Sequence, residues 1–293
     1  MDMRKLFYTL TLAAVAVVTG CNTEVITVEK EFEPVDNSGY TLLTADMETL
    51  LLENETRVWP EDAYIGVYGS EQGENECYTI KDQSAGLASA VFYGPVVKGK
   101  IAAYYPYDPS YIGNAEGMPV VLEDEQVYNK DYDALAHFQA YTSKAFGYMQ
   151  DGKLGFVYPN GILHLNVKTY EVLNIKGITL SSVSNKLAGL GIVRNDGTTE
   201  MTESAAQKVH LDCSEGVLSK NGEEYSDFYF AVAPGVYEDL EISLELDEEA
   251  PFVRKVPSLE VKRVSAEDFA VTSVTIQTSG GPADFTEIPV EFE

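Results

Sequence analysis

The residue types that carry acid–base and metal chemistry form no recognisable arrangement in this sequence. Its three histidines, His137, His164 and His210, are scattered, and none has a second His or a Cys at the spacing of a metal site. There is no GxSxG motif and no phosphate-binding glycine loop. Carboxylates are abundant, and pairs such as Asp131 and Asp133 are typical of solvated loops. The sequence therefore predicts no metal, no cofactor and a protein that is not an enzyme.

One aromatic cluster has the composition of a small-ligand site. Tyr104, Tyr105 and Tyr107 follow one another closely, and Tyr111 comes shortly after them. Tyrosine rings can stack on sugars, but the same pattern is typical of the packed end of a strand. The sequence leaves these two interpretations open.

A different chemistry, cleavage of the chain itself, is indicated at Arg57. This residue lies in an acidic connection between the apolar run that begins at Tyr40 and the strand-like run Tyr64–Tyr68. Exposed connections between strands are where proteolytic cuts concentrate. A trypsin-like protease needs such a basic residue, so Arg57 is a candidate processing position. The alternative is an ordinary surface arginine.

Residues 1–20 have the pattern of an export signal. Two basic residues precede the apolar run Leu6–Val18, which is too short to span a bilayer as a helix. The run ends in Val-Thr-Gly-Cys at Cys21, which resembles the lipobox of bacterial lipoproteins. The resemblance implies cleavage before Cys21 and lipidation of its sulfur, and stable anchoring needs more than one acyl chain. Residues 21–39 are acidic and turn-rich, and we interpret them as a tether.

Charge and cysteine content limit the partners and the cross-links. The formal net charge is −27, so neither nucleic acid nor an anionic membrane surface attracts the chain. The two cysteines after Cys21, Cys77 and Cys213, are not spaced for zinc. In an oxidising envelope they either pair or remain separate as small buried side chains.

Short strand-like runs separated by turns fill the chain from Tyr40 onward. Leu163, Leu165 and Val167 alternate with polar residues, which is the period of a half-buried strand. No segment shows helical periodicity over three turns, and residues 131–138 are consistent with one helical turn or a loop. The pattern predicts an all-β protein of the β-sandwich class. We expect a first domain at residues 40–154 and a second at 155–293.

The order of several short motifs resembles that of the Bacteroidales fimbrillins, the major or minor subunits of fimbriae. In chain order the motifs are Arg57 with Trp59, AYIGVY at 63–68, AAYYPY at 102–107, YDAL at 132–135, LHLNV at 163–167, KLAG at 186–189 and FYFAVAP at 228–234. The resemblance implies two transthyretin-like β-sandwich domains in tandem after a lipoprotein signal peptide. It also implies a structural and adhesive pilus subunit at the cell surface, on the outer membrane.

The resemblance implies a mode of assembly as well. A trypsin-like, Arg-specific protease removes the lipidated segment and the first strand at Arg57, which leaves a mature chain from Val58 to Glu293. A strand from another fimbrial subunit then fills the vacated groove, in a homo- or hetero-polymer.

The C-terminal residues 286–293 have the pattern of a donor strand, because Ile288, Val290 and Phe292 alternate with polar positions after a Ser-Gly-Gly-Pro break. Pro289 removes one ladder donor and is typical of an edge position. The tail is therefore either a donor strand or an edge strand of its own second domain. In the second case we expect a tip or accessory subunit, or a non-polymerising surface lipoprotein that binds a glycan or host ligand.

Overall fold

A computed structural model of the chain describes residues 40–46, 58–169, 172–219, 224–247, 250–264 and 271–277. These residues contain eighteen β-strands, one α-helix and a short 3₁₀ helix, Asp82–Ser84. In chain order the strands and the helix are β1 (Tyr40–Asp46), β2 (Tyr64–Gly69), β3 (Gln72–Ile80), β4 (Ser89–Pro95), β5 (Ile101–Tyr105), β6 (Gly117–Leu122), β7 (Glu125–Val127), α1 (Ala134–Tyr141), β8 (Ala145–Gln150), β9 (Lys153–Val157), β10 (Gly161–Lys168), β11 (Asn174–Ser181), β12 (Gly189–Arg194), β13 (Thr199–Met201), β14 (Lys208–Leu218), β15 (Tyr225–Val232), β16 (Gly235–Leu246), β17 (Phe252–Val261) and β18 (Val271–Gln277). The prediction of an all-β protein is confirmed.

The first sheet is a closed barrel with the strand order β1, β4, β3, β2, β5, β8, β9. All neighbours along this order pair antiparallel. The barrel closes where β1 meets β9 in parallel, through the pair Ala45 and Leu154. Alternating apolar residues predict the strands, but closure depends on this contact between residues far apart in sequence.

Two glycines in the barrel make room for tyrosine rings. A Cβ atom on Gly66 would lie 2.0 Å from Cε1 of Tyr104, and one on Gly94 would lie 2.4 Å from Cδ2 of Tyr78. Both rings are fully buried. Each glycine therefore allows a large side chain from a neighbouring strand to lie across the backbone, which a Cβ would prevent.

The second half of the chain forms two facing sheets. One has the order β15, β10, β18, and the other has the order β17, β16, β11, β14, β7. Inward residues of both sheets share one core, as in a β-sandwich. The predicted alternation is observed in β10, where Leu163, Leu165 and Val167 are buried and His164 is only half-buried.

Strands from residues 117–127 connect the two halves. β6 pairs antiparallel with β12, and β7 pairs in parallel with β14, so both strands add to sheets built from the second half of the chain. The buried cluster of the barrel likewise includes Ile162, Ala231 and Val264 from the second half.

Helix α1 covers the junction between the halves and contacts β10 and β15. Asp133 caps it, since its Oδ1 accepts from the Ala136 amide at 2.8 Å. His137 on this helix is buried, and its Nε2 lies 2.8 Å from Oε1 of Gln126. The same Oε1 accepts from the Ala231 amide at 3.0 Å. Burial lowers the pKa of His137 to about 4.

Cys77 and Cys213 are both free thiols. Of the two alternatives left open by the sequence, a disulfide or two separate cysteines, the structure has the separate cysteines. Burial is the main cause that raises the pKa of Cys213 to about 12. Its thiol is therefore expected to be unreactive in the folded protein.

Within the described ranges, no helix is both long and apolar enough to cross a membrane. Over the same residues, no group of three or more His, Cys, Asp or Glu side chains has the arrangement of a metal site.

Replacing Gly66 by alanine tests the barrel packing. We expect Gly66→Ala to lower the free energy of unfolding by about 1–3 kcal/mol, because the new Cβ overlaps the Tyr104 ring. The matched control is Gly73→Ala in β3, where a Cβ meets no atom within 4 Å. Urea unfolding of both variants is the measurement, and an equal loss of stability in the two variants would contradict the packing account.

The buried histidine predicts a loss of stability in mild acid. The folded protein resists protonation of His137 until about pH 4, whereas the unfolded chain takes up this proton near pH 6.5. Stability therefore falls as the pH drops through this window, by at most about 1.4 kcal/mol per pH unit. Urea unfolding at pH 7, 6 and 5 should show a shallower pH dependence for His137→Gln than for the wild type. Identical slopes would show that this histidine is not the cause.

Candidate functional site

We call the position that Tyr40–Asp46 occupies between β4 and β9 the β1 slot. β1 pairs with β4 along its whole length, from Tyr40 opposite Pro95 to Asp46 opposite Ser89. On the other side it pairs with β9 through Ala45 and Leu154. Backbone pairing to β4 is therefore the main hydrogen-bonded attachment of this strand.

The side chains of β1 alternate between the core and the solvent. Leu43 and Ala45 are buried in the barrel core, and Tyr40 and Leu42 are exposed. Full burial of a leucine side chain is worth about 1.5–3 kcal/mol. The strand thus supplies part of the barrel core as well as its closure.

Trp59 forms the floor of the slot. Its indole Nε1 donates to the Ala45 carbonyl at 3.0 Å, and its ring meets Phe92 and Tyr105 edge-on at 4.9 and 5.2 Å between centroids. The Trp59 amide donates to the Leu87 carbonyl at 3.0 Å, and its own carbonyl accepts from the amide of residue 86 at 2.9 Å. The backbone of Trp59 is therefore held by the turn that precedes β4 and not by β1.

Three further contacts hold the two ends of β1. The Tyr40 and Tyr93 rings meet edge-on with centroids 6.2 Å apart, and Oγ1 of Thr41 accepts from the Val97 amide at 3.3 Å. At the other end Lys153 Nζ lies 3.1 Å from a carboxylate oxygen of Asp46.

Several predicted site residues lie outside the described residues. These are Cys21, Arg57 and the tail residues Ile288, Val290 and Phe292. The described chain stops at Asp46, at the end of β1, and resumes at Val58, immediately before Trp59. Arg57 therefore belongs to the connection between β1 and the rest of the barrel.

The candidate ligand aromatics are part of the interior. Tyr104 has no exposed surface, and its hydroxyl donates to the Asp108 carbonyl at 2.7 Å. Its ring lies 4.5 Å from that of Tyr111 between centroids. The pKa of the Tyr104 hydroxyl is raised, and burial is the main cause. A ring without exposed surface cannot stack on a sugar, so of the two interpretations that the sequence left open for Tyr104, packing at the strand end is the one observed.

The other two aromatics also pack within the protein. Tyr105 is half-buried and contacts Trp59, and Tyr107 is half-buried and stacks on Tyr104 at 6.5 Å between centroids. The sequence analysis missed the role of Tyr105 in the β1 slot. The sequence does contain a sign of this role. Tyr105 lies two residues after Ala103 on the same strand, so it is on the same face as that buried residue.

Comparisons with known proteins find similarity among solved structures. No protein-family model and no curated protein matches the sequence. A proposed cell adhesion protein from Bacteroides uniformis gives a TM-score of 0.45 at 14% identity, over 83% of this chain and 95% of that one. A fimbrial protein from Bacteroides vulgatus gives 0.39 at 12% identity, over 81% and 95%.

A third similar structure is the tip fimbrial protein Mfa3 from Porphyromonas gingivalis with a C-terminal truncation. It gives a TM-score of 0.33 at 9% identity, over 74% of this chain and 81% of that one. The three descriptions name the kinds of protein that the sequence motifs resemble. At such low identities and scores the similarities carry no functional argument, and the function is argued below from the residues of this chain.

Two adjacent leucines test how β1 contributes to stability. We expect Leu43→Ala to lower the free energy of unfolding by about 2–5 kcal/mol, because a buried side chain leaves a cavity. Leu42 is 41% exposed, so Leu42→Ala should change stability by no more than about 0.5 kcal/mol. Chemical unfolding followed by circular dichroism measures both. Similar values for the two variants would mean that β1 does not pack as described.

Proposed function

We propose that this chain is a fimbrillin-like pilus subunit with a structural and adhesive role. In this proposal it is assembled by proteolytic removal of its first strand and by donor-strand exchange. The observation that carries the proposal is the construction of the β1 slot. The strand that closes the barrel comes first among the described strands, and the connection that follows it contains Arg57.

Cleavage at Arg57 makes the closing strand replaceable. While the chain is intact, β1 is tethered beside its slot and rebinds at a high effective concentration. After a cut it is a separate chain that dilution and competition can remove. The rest of the barrel keeps its own core and its own hold on the Trp59 backbone.

An empty slot is unfavourable, and this provides the driving force for exchange. Without β1, the edges of β4 and β9 lose backbone partners and Trp59 loses its acceptor at Ala45. An unpaired buried donor costs about 1–3 kcal/mol. A strand from another subunit restores the edge pairing and the burial at once.

The proposal extends to the cell envelope. The lipid on Cys21 holds the precursor at the outer membrane, and an Arg-specific, trypsin-like protease releases the body of the subunit from that anchor. The partners are then other fimbrial subunits. Because the whole chain carries a net charge of −27, repulsion opposes indiscriminate association of subunits.

N-terminal sequencing and native size of the surface-exposed protein test the proposal. We expect the wild-type mature chain to begin at Val58. We also expect it to run as an SDS-resistant ladder on gels, because each subunit contains a strand donated by its neighbour. Arg57→Gln should abolish the ladder and leave a lipidated monomer.

Arg254→Gln is the matched control, because Arg254 lies partly buried within β17 and not in a connection. It should assemble as the wild type does. A wild-type protein that stays uncut at Arg57, lipidated and monomeric would refute the proposed function.

A further inference from the structure

Two concavities beside β15, in the second half of the chain, adjoin at Asp227. The first has a volume of about 340 Å³, and the second has a volume of about 400 Å³. Volumes of this size are typical of small-ligand sites. We call the two together the Asp227 groove. Besides Asp227, the first is lined by Asn166, Glu224, Tyr225 and Thr275. The walls of the second include Tyr128, Lys130, Tyr132, Leu218 and Tyr229.

The first concavity lies over a row of three polar residues on neighbouring strands. Asp227 lies opposite Asn166 of β10, and Asn166 lies opposite Thr275 of β18. They alternate with buried residues such as Val167 and Val274, so their side chains leave the core on the same side. Asn166 and Thr275 are half-buried, yet neither side chain makes a hydrogen bond within the described part of the chain. Their amide and hydroxyl groups are therefore available to a molecule in the groove.

A histidine holds Asp227 at the point where the two concavities meet. Nε2 of His164 lies 3.0 Å from Oδ1 of Asp227, and Nδ1 of His164 lies 3.3 Å from Oγ of Ser273. The Tyr229 ring stacks on His164 with 4.6 Å between centroids. Oδ2 of Asp227 makes no hydrogen bond to any residue that the structure describes, and 45% of the side chain is exposed. One carboxylate oxygen is thus fixed, and the other is left for a ligand.

The edge of β15 that lies away from β10 adds backbone groups to the second concavity. Oε1 of Gln126 accepts from the Ala231 amide at 3.0 Å, and Nε2 of Gln126 donates to the Ala231 carbonyl at 2.7 Å. The backbone groups of Ala231 therefore face away from β10. Residues two apart in a strand direct these groups to the same side, so those of Asp227 and Tyr229 lie at the same edge. Among the described strands β15 pairs only with β10, so this edge offers both donors and acceptors.

Apolar surface completes the second concavity. Tyr128, Tyr132 and Tyr229 are half-buried there, and Leu218 at the end of β14 is 70% exposed. Ligand sites of this kind combine an apolar wall with a few polar groups that fix orientation. A ligand with both C–H faces and hydroxyl groups matches such a surface.

The charges and the donors of the groove select the class of ligand. The carboxylates of Glu224 and Asp227 repel an anionic ligand. The Asn166 amide and the Lys130 ammonium bring donors that need acceptors, which a cationic ligand lacks. A sugar hydroxyl both donates and accepts. We propose that the Asp227 groove binds a neutral oligosaccharide, with one sugar ring in each concavity and Asp227 between them.

This site gives the proposed adhesive role a ligand, and it shares no residue with the β1 slot. Sugar binding at the Asp227 groove requires neither a cut at Arg57 nor strand exchange. The inference therefore goes beyond the proposed function, and the two are tested by separate measurements on the same protein.

Glycan binding by the purified full-length protein tests the inference. The protein is first screened on an array of neutral, sialylated and sulfated oligosaccharides. The best neutral binder and its single sugar units are then titrated by isothermal titration calorimetry. We expect saturable binding of a neutral oligosaccharide with a Kd of about 1 mM or tighter. Its single sugar units should bind more weakly, because each fills only one concavity.

Two isosteric variants and a matched control locate the binding. Asp227→Asn should weaken binding about tenfold, since hydrogen bonds to a charged acceptor are the stronger ones. Thr275→Val should weaken it about threefold, since one neutral hydroxyl is lost. Glu245→Gln is the control and should bind as the wild type does. Glu245 also lies beside a histidine, 3.7 Å from His210, and 49% of its side chain is exposed, but it belongs to the facing sheet.

Three outcomes would overturn the inference. The first is an array on which no neutral oligosaccharide binds saturably, or on which only the sialylated or sulfated ones do. The second is binding of an oligo-arginine peptide in place of glycans, lost in Asp227→Asn, which would make the groove a cation site. The third is glycan binding that Asp227→Asn and Thr275→Val leave unchanged, which would place the sugar elsewhere.

The failure of the inference is distinguishable from the failure of the proposed function. Protein that is cut at Arg57 and forms ladders but binds no neutral glycan overturns the inference alone. Protein that binds the glycan through Asp227 but stays uncut, lipidated and monomeric refutes the pilus proposal and leaves the sugar site intact.

Discussion

The backbone pairing of β1 with β4 is the constraint on which the barrel depends. A strand edge in a sheet presents rows of amide and carbonyl groups that need partners. β1 satisfies the edge of β4 along its whole length and reaches β9 at Ala45. It also brings Leu43 and Ala45 into the core and an acceptor to the Trp59 indole. Any state of this protein with a complete barrel therefore needs a strand at this place, whether from its own chain or from another.

The two halves of the chain differ in how their cores are completed. The facing sheets of the second half bury a core between eight strands, one of which is β7 from the first half. The barrel relies for its closure on one short strand at the start of the described chain. That strand is held by backbone pairing to β4 and by a few side-chain contacts, among them Leu43 in the core and the Tyr40 ring against Tyr93. A different sequence with the same alternation can make the backbone pairs, which fits the proposed strand exchange.

Local patterns predicted the strands and the class of fold but not the contacts between distant residues. The alternation at Leu163, Leu165 and Val167 is a property of one strand, so the sequence alone predicted correctly that these side chains are buried. The placement of Tyr104 depends on Gly66 in a neighbouring strand, so a run of tyrosines alone did not show that its ring is buried. Helix α1 has eight residues, too few for a clear helical period. The pairing of β7 with β14 likewise joins segments that share no local signal. The sequence analysis identified β1 as the first strand of the fold, but its parallel pairing with β9 joins residues far apart in the chain and could not be predicted from spacing.

The chain contains a single tryptophan, and that residue lies at the β1 slot. Indole emission depends on the polarity and the hydrogen bonding around the ring. The tryptophan fluorescence of the unlabelled protein therefore comes from one place, the slot at which we propose that one strand is exchanged for another. Under the proposed exchange, this emission reports in real time whether the slots hold the original strand, a new strand or solvent, without an attached dye that would obstruct the groove.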